Sequence, residues 1–114
     1  MRKKLSKAER MKVYEKCNGH CAYCGCELEY KNMQVDHVEP IRHGGKDEIE
    51  NMLPACRSCN HYKSTMDIET FRIMVEKMPD TLMRDSVTYK NAVRFGLVIQ
   101  NKSPVQFYYE KIGR

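Results

Sequence analysis

The chain has no tryptophan and only three phenylalanines among its 114 residues, and its mean hydropathy is −0.69. The core is therefore expected to be modest and interrupted, and a chain this short would gain from stability supplied elsewhere. Long apolar runs are missing as well. Nothing approaches the roughly 18 apolar residues of a membrane-spanning helix, so no membrane partner is expected. Met1-Arg2-Lys3-Lys4-Leu5 is basic, but no apolar stretch follows it as in a secretory leader. The expected compartment is a reducing cytoplasm, where disulfides do not persist. There is no internal repeat and no low-complexity segment, and the length suits one domain.

Against these absences stand six cysteines. Four of them form two CxxC pairs, Cys21-Ala22-Tyr23-Cys24 and Cys56-Arg57-Ser58-Cys59. A CxxC turn delivers two sulfurs to one ion without strain, and four thiolates at about 2.3 Å make a tetrahedral structural zinc site. The pairs lie 31 residues apart. A zinc held by Cys21, Cys24, Cys56 and Cys59 would thus staple a whole intervening unit, supplying the stability that the core lacks. Cys17 and Cys26 are left over and are read as free or buried thiols. A thiol redox protein would instead want one exposed, reactive pair beside a βαβ pattern, which two matched pairs do not provide.

Charge is unevenly placed. Residues 1–16 hold seven Lys/Arg against Glu9 and Glu15, and the remaining 98 residues balance at 13 and 13, giving the net +5. A basic arm on a neutral body suits a phosphate backbone. Lys3, Lys4, Lys7 and Arg10 are its candidate contacts, with a solvated tail as the bland alternative.

Local patterns place the elements. Ser6-Lys7-Ala8-Glu9 is a capping box opening a basic N-terminal helix within 1–19 that stops near Gly19. His20 to Gly25 is a tight knuckle. Met33 to Val38 reads as a strand, Pro40 to Lys46 with Gly44-Gly45 as a loop, and Asn51 to Ala55 as a short strand ending at Pro54. A helix runs from Arg57 to about Thr65. Further on, a helix capped by Asp67 runs through Lys77 and is halted by Pro79, and another spans Ser86–Phe95. Val105-Gln106-Phe107-Tyr108-Tyr109 reads as a late strand whose rings pack rather than stack on bases. The organisation expected is 1–19 helix, 20–66 metal-stapled core, and 67–114 helices and strand packed on that core.

Between the cysteine pairs lies a second constellation. Hydrolysis of a phosphodiester needs a deprotonated water and neutralised phosphate charge. A neutral histidine can take that proton near pH 7, and oxygen donors suit magnesium or manganese. Asp36 and His37 are strand neighbours and should face opposite ways, one toward a metal and one toward water. Asn60 follows the second zinc pair on the adjoining helix and could complete a site with Asp36. Lys63, three residues on, shares its face and could meet a phosphate. Arg42, Lys46 and Arg57 are further phosphate contacts or merely solvated cations, and His20 and His43 are read as surface histidines.

Taken together, Asp36-His37-Val38-Glu39-Pro40, Gly44-Gly45, Asn51-Met52-Leu53 and Cys56-Arg57-Ser58-Cys59-Asn60-His61-Tyr62-Lys63 resemble the HNH endonuclease family. The resemblance covers about residues 17–65. It implies an α+β protein with a small ββα-metal core. It also implies a DNA nuclease that uses a divalent cation and leaves 5′-phosphate and 3′-hydroxyl ends, RNA being the second choice of substrate. By that resemblance His37 is the general base, Asp36 a cation ligand, Asn51 the residue that ties down the loop bearing His37, and Asn60 the second cation ligand. The family name has His where this chain has Asn60, and neighbouring His61 is the second choice of ligand. A homodimer or a phage or defence protein is an open partner. The rival within the same fold is a non-catalytic zinc-binding DNA module, which would not need Asp36, His37, Asn51 and Asn60.

Overall fold

A computed structural model describes residues 4–113; Arg2 and Lys3 of the basic arm lie outside the described residues. Helix α1 spans Lys7–Glu15, and its start is fixed as the sequence suggests. Ser6 Oγ accepts from the Glu9 amide at 3.1 Å, and Glu9 Oε1 accepts from the Ser6 amide at 2.9 Å. Two of its cations turn inward to pin later chain. Lys16 Nζ donates to the carbonyls of Ile49 and, at 2.8 Å, Met52. Arg10 Nη2 donates to those of Tyr30 (3.2 Å) and Met33 (2.7 Å), with its guanidinium over the Tyr30 ring.

Strands β1 (Gln34–His37) and β2 (Met52–Ala55) pair antiparallel, with Asp36 opposite Leu53 and His37 opposite Met52. Pro54 sits inside β2 rather than ending it. A two-stranded sheet is all edge, where a missing N–H is tolerated, and the Pro54 carbonyl accepts from the Ala22 amide at 2.8 Å. Val13, Leu28, Met33 and Met52 form the buried core, with Leu5, Tyr14, Val35 and Ile49 against it. Helix α2 (Arg57–Lys63) follows β2 directly, so β1, β2 and α2 make the compact ββα arrangement.

The chain divides into two compact units, Met1–Ile68 with Gln106–Arg114, and Glu69–Val105. The second contains most of α3 (Ile68–Glu76), then α4 (Met78–Asp85) and α5 (Val87–Arg94). Pro79 does not stop the chain after α3. It occupies the first turn of α4, where proline's missing N–H has no partner to lose. Ser86 caps α5 by accepting from the Tyr89 amide at 3.0 Å. Within this unit Glu76 and Arg72 bind the two sides of Val105, at 2.8 Å each.

The late strand expected at Val105–Tyr109 is not formed. Helix α6 (Tyr108–Lys111) stands there, opened by Glu110 accepting from the Phe107 amide at 2.8 Å. The amides of Tyr108 and Tyr109 donate to the carbonyls of Tyr23 and Ala22, at 3.1 and 2.8 Å, which joins this end to the first unit. The aromatic side chains do pack, Tyr23 meeting Phe107 and Tyr109 edge-on at 5.3 and 6.1 Å between centroids.

Candidate active site and metal centre

The sulfurs of Cys21, Cys24, Cys56 and Cys59 all lie within 4.8 Å of one another. Four sulfurs around one zinc at about 2.3 Å are about 3.8 Å apart, and Cys24 and Cys56 are separated by 3.9 Å. The cluster therefore fits a zinc site. The Cys21 thiol is pushed down to about 4, first by its hydrogen bond with Cys59 and then by backbone amides of the two turns. Cys59 is pushed up by the same bond. The lowering at Cys21 is in keeping with the thiolate form that a zinc ligand takes. Cys17 is buried and Cys26 exposed, both outside the four-sulfur cluster.

At the end of β1 a cleft of about 510 Å³ is bordered by Asp36, His37, Arg42 and, from α2, Asn60. Asp36 and His37, expected to face opposite ways on the strand, both border this cleft. His61, one helical step from Asn60, is exposed and is not among the cleft residues.

Asn51 lies outside the cleft and stitches the loop around it. Its Oδ1 accepts from the Glu39 amide, and its Nδ2 donates to the carbonyls of Glu39 and Lys46, all at 2.9 Å. The loop so held carries Asp47, whose Oδ1 lies 2.8 Å from His37 Nε2. Gly45 makes the loop's tight return, since a Cβ there would stand 1.8 Å from the Glu39 carbonyl oxygen.

Lys63 was expected to meet a phosphate and does not face solvent. It is fully buried, donating to the His37 carbonyl at 3.0 Å and pairing with Asp36 Oδ2 at 3.2 Å. The same oxygen accepts from the Tyr23 hydroxyl. Burial pushes the Asp36 carboxyl up, and Tyr23 and Lys63 oppose that shift. Burial and Asp36 in turn hold the Tyr23 phenol well above its usual range. Arg10 likewise spends donors on backbone carbonyls, while Lys4, Lys7, Lys46 and Arg57 are exposed. Lys4, Arg10 and Lys31 line a second hollow that shares Val35 and Asn60 with the cleft. Tyr23, Asp47 and Lys31 escape a reading of the sequence because only the folded chain brings them here.

Among the described residues no helix is long and apolar enough to cross a membrane. Residues 21–65 match the HNH endonuclease family. The chain is 34% identical over 68 residues to YoqL, a prophage-derived protein of Bacillus subtilis designated an HNH endonuclease, with 49% of this chain and 30% of that protein covered. It is 33% identical over 55 residues to the CRISPR-associated endonuclease Cas9 of Corynebacterium diphtheriae, covering 47% of this chain and 5% of that protein. In fold it is similar to the Type II-C Cas9 enzyme from Actinomyces naeslundii, at a TM-score of 0.55 and 20% identity over 91% of this chain and 12% of that one. The chain thus spans at most 30% of the length of these relatives. The four-cysteine cluster, the ββα core and the sequence match coincide on one segment, residues 21–65, which is similar to the HNH endonuclease family.

Proposed function

We propose that this chain is an endonuclease that hydrolyses the phosphodiester bonds of DNA with the aid of a divalent cation. The observation that carries the reading is the meeting of Asp36, His37 and Asn60 at one cleft. Asp36 and Asn60 offer oxygen donors of the kind magnesium or manganese prefers. A cation held by them would neutralise charge on a phosphate oxygen and on the leaving oxygen.

His37 takes the proton of the attacking water. With Nε2 engaged by Asp47, Nδ1 is the ring nitrogen assigned to that task. Asn51, by tying Glu39 to Lys46, keeps Asp47 where it can restrain the imidazole. In-line attack then breaks the bond to the 3′ oxygen, leaving a 5′-phosphate and a 3′-hydroxyl. The exposed cations Lys4, Lys7, Arg42, Lys46 and Arg57 are assigned to flanking phosphates. Zinc in the four-cysteine site is assigned a structural role. One relative is prophage-derived and another CRISPR-associated, so phage biology or defence, in a bacterial cytoplasm, is the proposed setting.

The test is cleavage of supercoiled plasmid with magnesium, manganese or EDTA, alongside His37→Ala. Cation-dependent nicking that falls about 10²- to 10⁴-fold in His37→Ala is expected, with zinc retained in both proteins. DNA binding without cleavage under any cation would instead mark a non-catalytic DNA-binding module.

A further inference from the structure

Tyr23 lies between two zinc-site cysteines, and its hydroxyl ends on the carboxylate of Asp36, 13 residues further along the chain. Nothing about this tyrosine is slack. It is 4% exposed, and its ring packs edge-on against both Phe107 and Tyr109. Its own carbonyl is held by the Tyr108 amide at 3.1 Å. The four-sulfur knuckle on one side and α6 on the other therefore fix where the hydroxyl sits.

What the hydroxyl does to Asp36 follows from the two oxygens being unequal. Oδ2 receives both the Tyr23 hydroxyl and Lys63 Nζ. Lys63 is itself anchored on the His37 carbonyl at 3.0 Å. Oδ1 is the other acceptor of this carboxylate. Asp36 is 5% exposed, and it borders the cleft. Two donors on the inner oxygen set the plane of the carboxylate and leave the outer one for a ligand.

We propose that Tyr23 is a positioning residue that sets the divalent-cation affinity of the cleft, making a mechanical link from the four-cysteine site to Asp36. The proposal rests on Asp36 being a cation ligand. It gives the zinc site a second consequence beyond holding the fold, because a shift of the knuckle moves the hydroxyl that orients the carboxylate.

Manganese binding followed by electron paramagnetic resonance tests this without reference to turnover, on zinc-loaded wild type, Tyr23→Phe and Asp36→Asn. Tyr23→Phe should keep its zinc and its fold while binding manganese roughly 10- to 100-fold more weakly, the loss typical of a removed outer-shell partner. Its plasmid cleavage should fall at low magnesium and recover at high magnesium. Unchanged manganese binding in Tyr23→Phe, with binding lost in Asp36→Asn, overturns the positioning role alone. Unchanged binding in Asp36→Asn as well overturns the reading of the cleft itself, and this proposal with it. Should Tyr23→Phe fail to fold, the double variant with Asp36→Asn decides. Recovery of the fold shows that the hydroxyl acts through the Asp36 charge, whereas continued failure makes Tyr23 a core residue only and overturns the proposal.

Discussion

Lys63 and Arg57 stand on the same short helix and look equally ready for a phosphate in the sequence, yet their surroundings differ completely. Arg57 is exposed, whereas Lys63 is buried against the Asp36 carboxylate and the end of β1. Removing one partner of a buried pair strands the other charge. Lys63→Met is therefore expected to lower the free energy of unfolding by about 3–5 kcal/mol, measured by urea denaturation. Arg57→Ala should stay within about 0.5 kcal/mol of wild type. Equally small effects would mean that the Asp36–Lys63 pair adds nothing to the fold. The zinc ligands were legible in the sequence because a CxxC turn is a local device, complete within four residues. Tyr23, Asp47 and Lys63 were not, because each acquires its partner only across 10 to 26 residues of folded chain.

At the level of elements, both strands and helices α1, α2, α3 and α5 were readable, whereas α4 and α6 were not. The Ser6–Glu9 box, both strands and α2 all carry capping, alternation or ligand spacing that points one way. Pro79 and the aromatic run near the C-terminus each admit two readings. A proline after a helix can end it or begin the next, and only the turn at Lys77 selects the second. Five residues of alternating apolar character suit a strand, but no partner strand is there, and Glu110 instead closes a helical turn on Phe107. The loop between β1 and β2 shows what one atom decides. Gly45→Ala forces a methyl group against the Glu39 carbonyl and so disturbs the loop that carries Asp47. It is expected to cost about 1–3 kcal/mol in a thermal melt, in the range of overpacking, and to depress plasmid cleavage in parallel. A variant normal in both would show that the loop yields without moving its function.

For the molecule as a whole, the core cluster of Val13, Leu28, Met33 and Met52 is small, and zinc in the four-cysteine site is expected to supply much of the first unit's stability. Zinc-binding free energies of about 10–16 kcal/mol are measured for small finger peptides, comparable to the entire stability of a domain. Stripping zinc with a strong chelator should therefore abolish DNA cleavage and the tertiary circular-dichroism signal together. Adding back zinc should restore both, and adding magnesium should restore neither. Survival of the tertiary signal after the zinc is gone would show that the core suffices alone. Acid should act like the chelator, since protons compete with zinc for the four sulfurs. The sign follows from that competition: zinc binding releases protons, so it is favoured as pH rises.

The bond between Tyr23 and Asp36 also has an optical consequence. With no tryptophan to dominate the spectrum, ultraviolet emission comes from the seven tyrosines. A phenol bonded to a carboxylate is quenched, so Tyr23 is a dark member of that set while the bond to Asp36 holds. Any event that pulls the carboxylate away should brighten it. Tyr23 emission thereby reports on the state of the Asp36 carboxylate, which borders the cleft, without an attached dye.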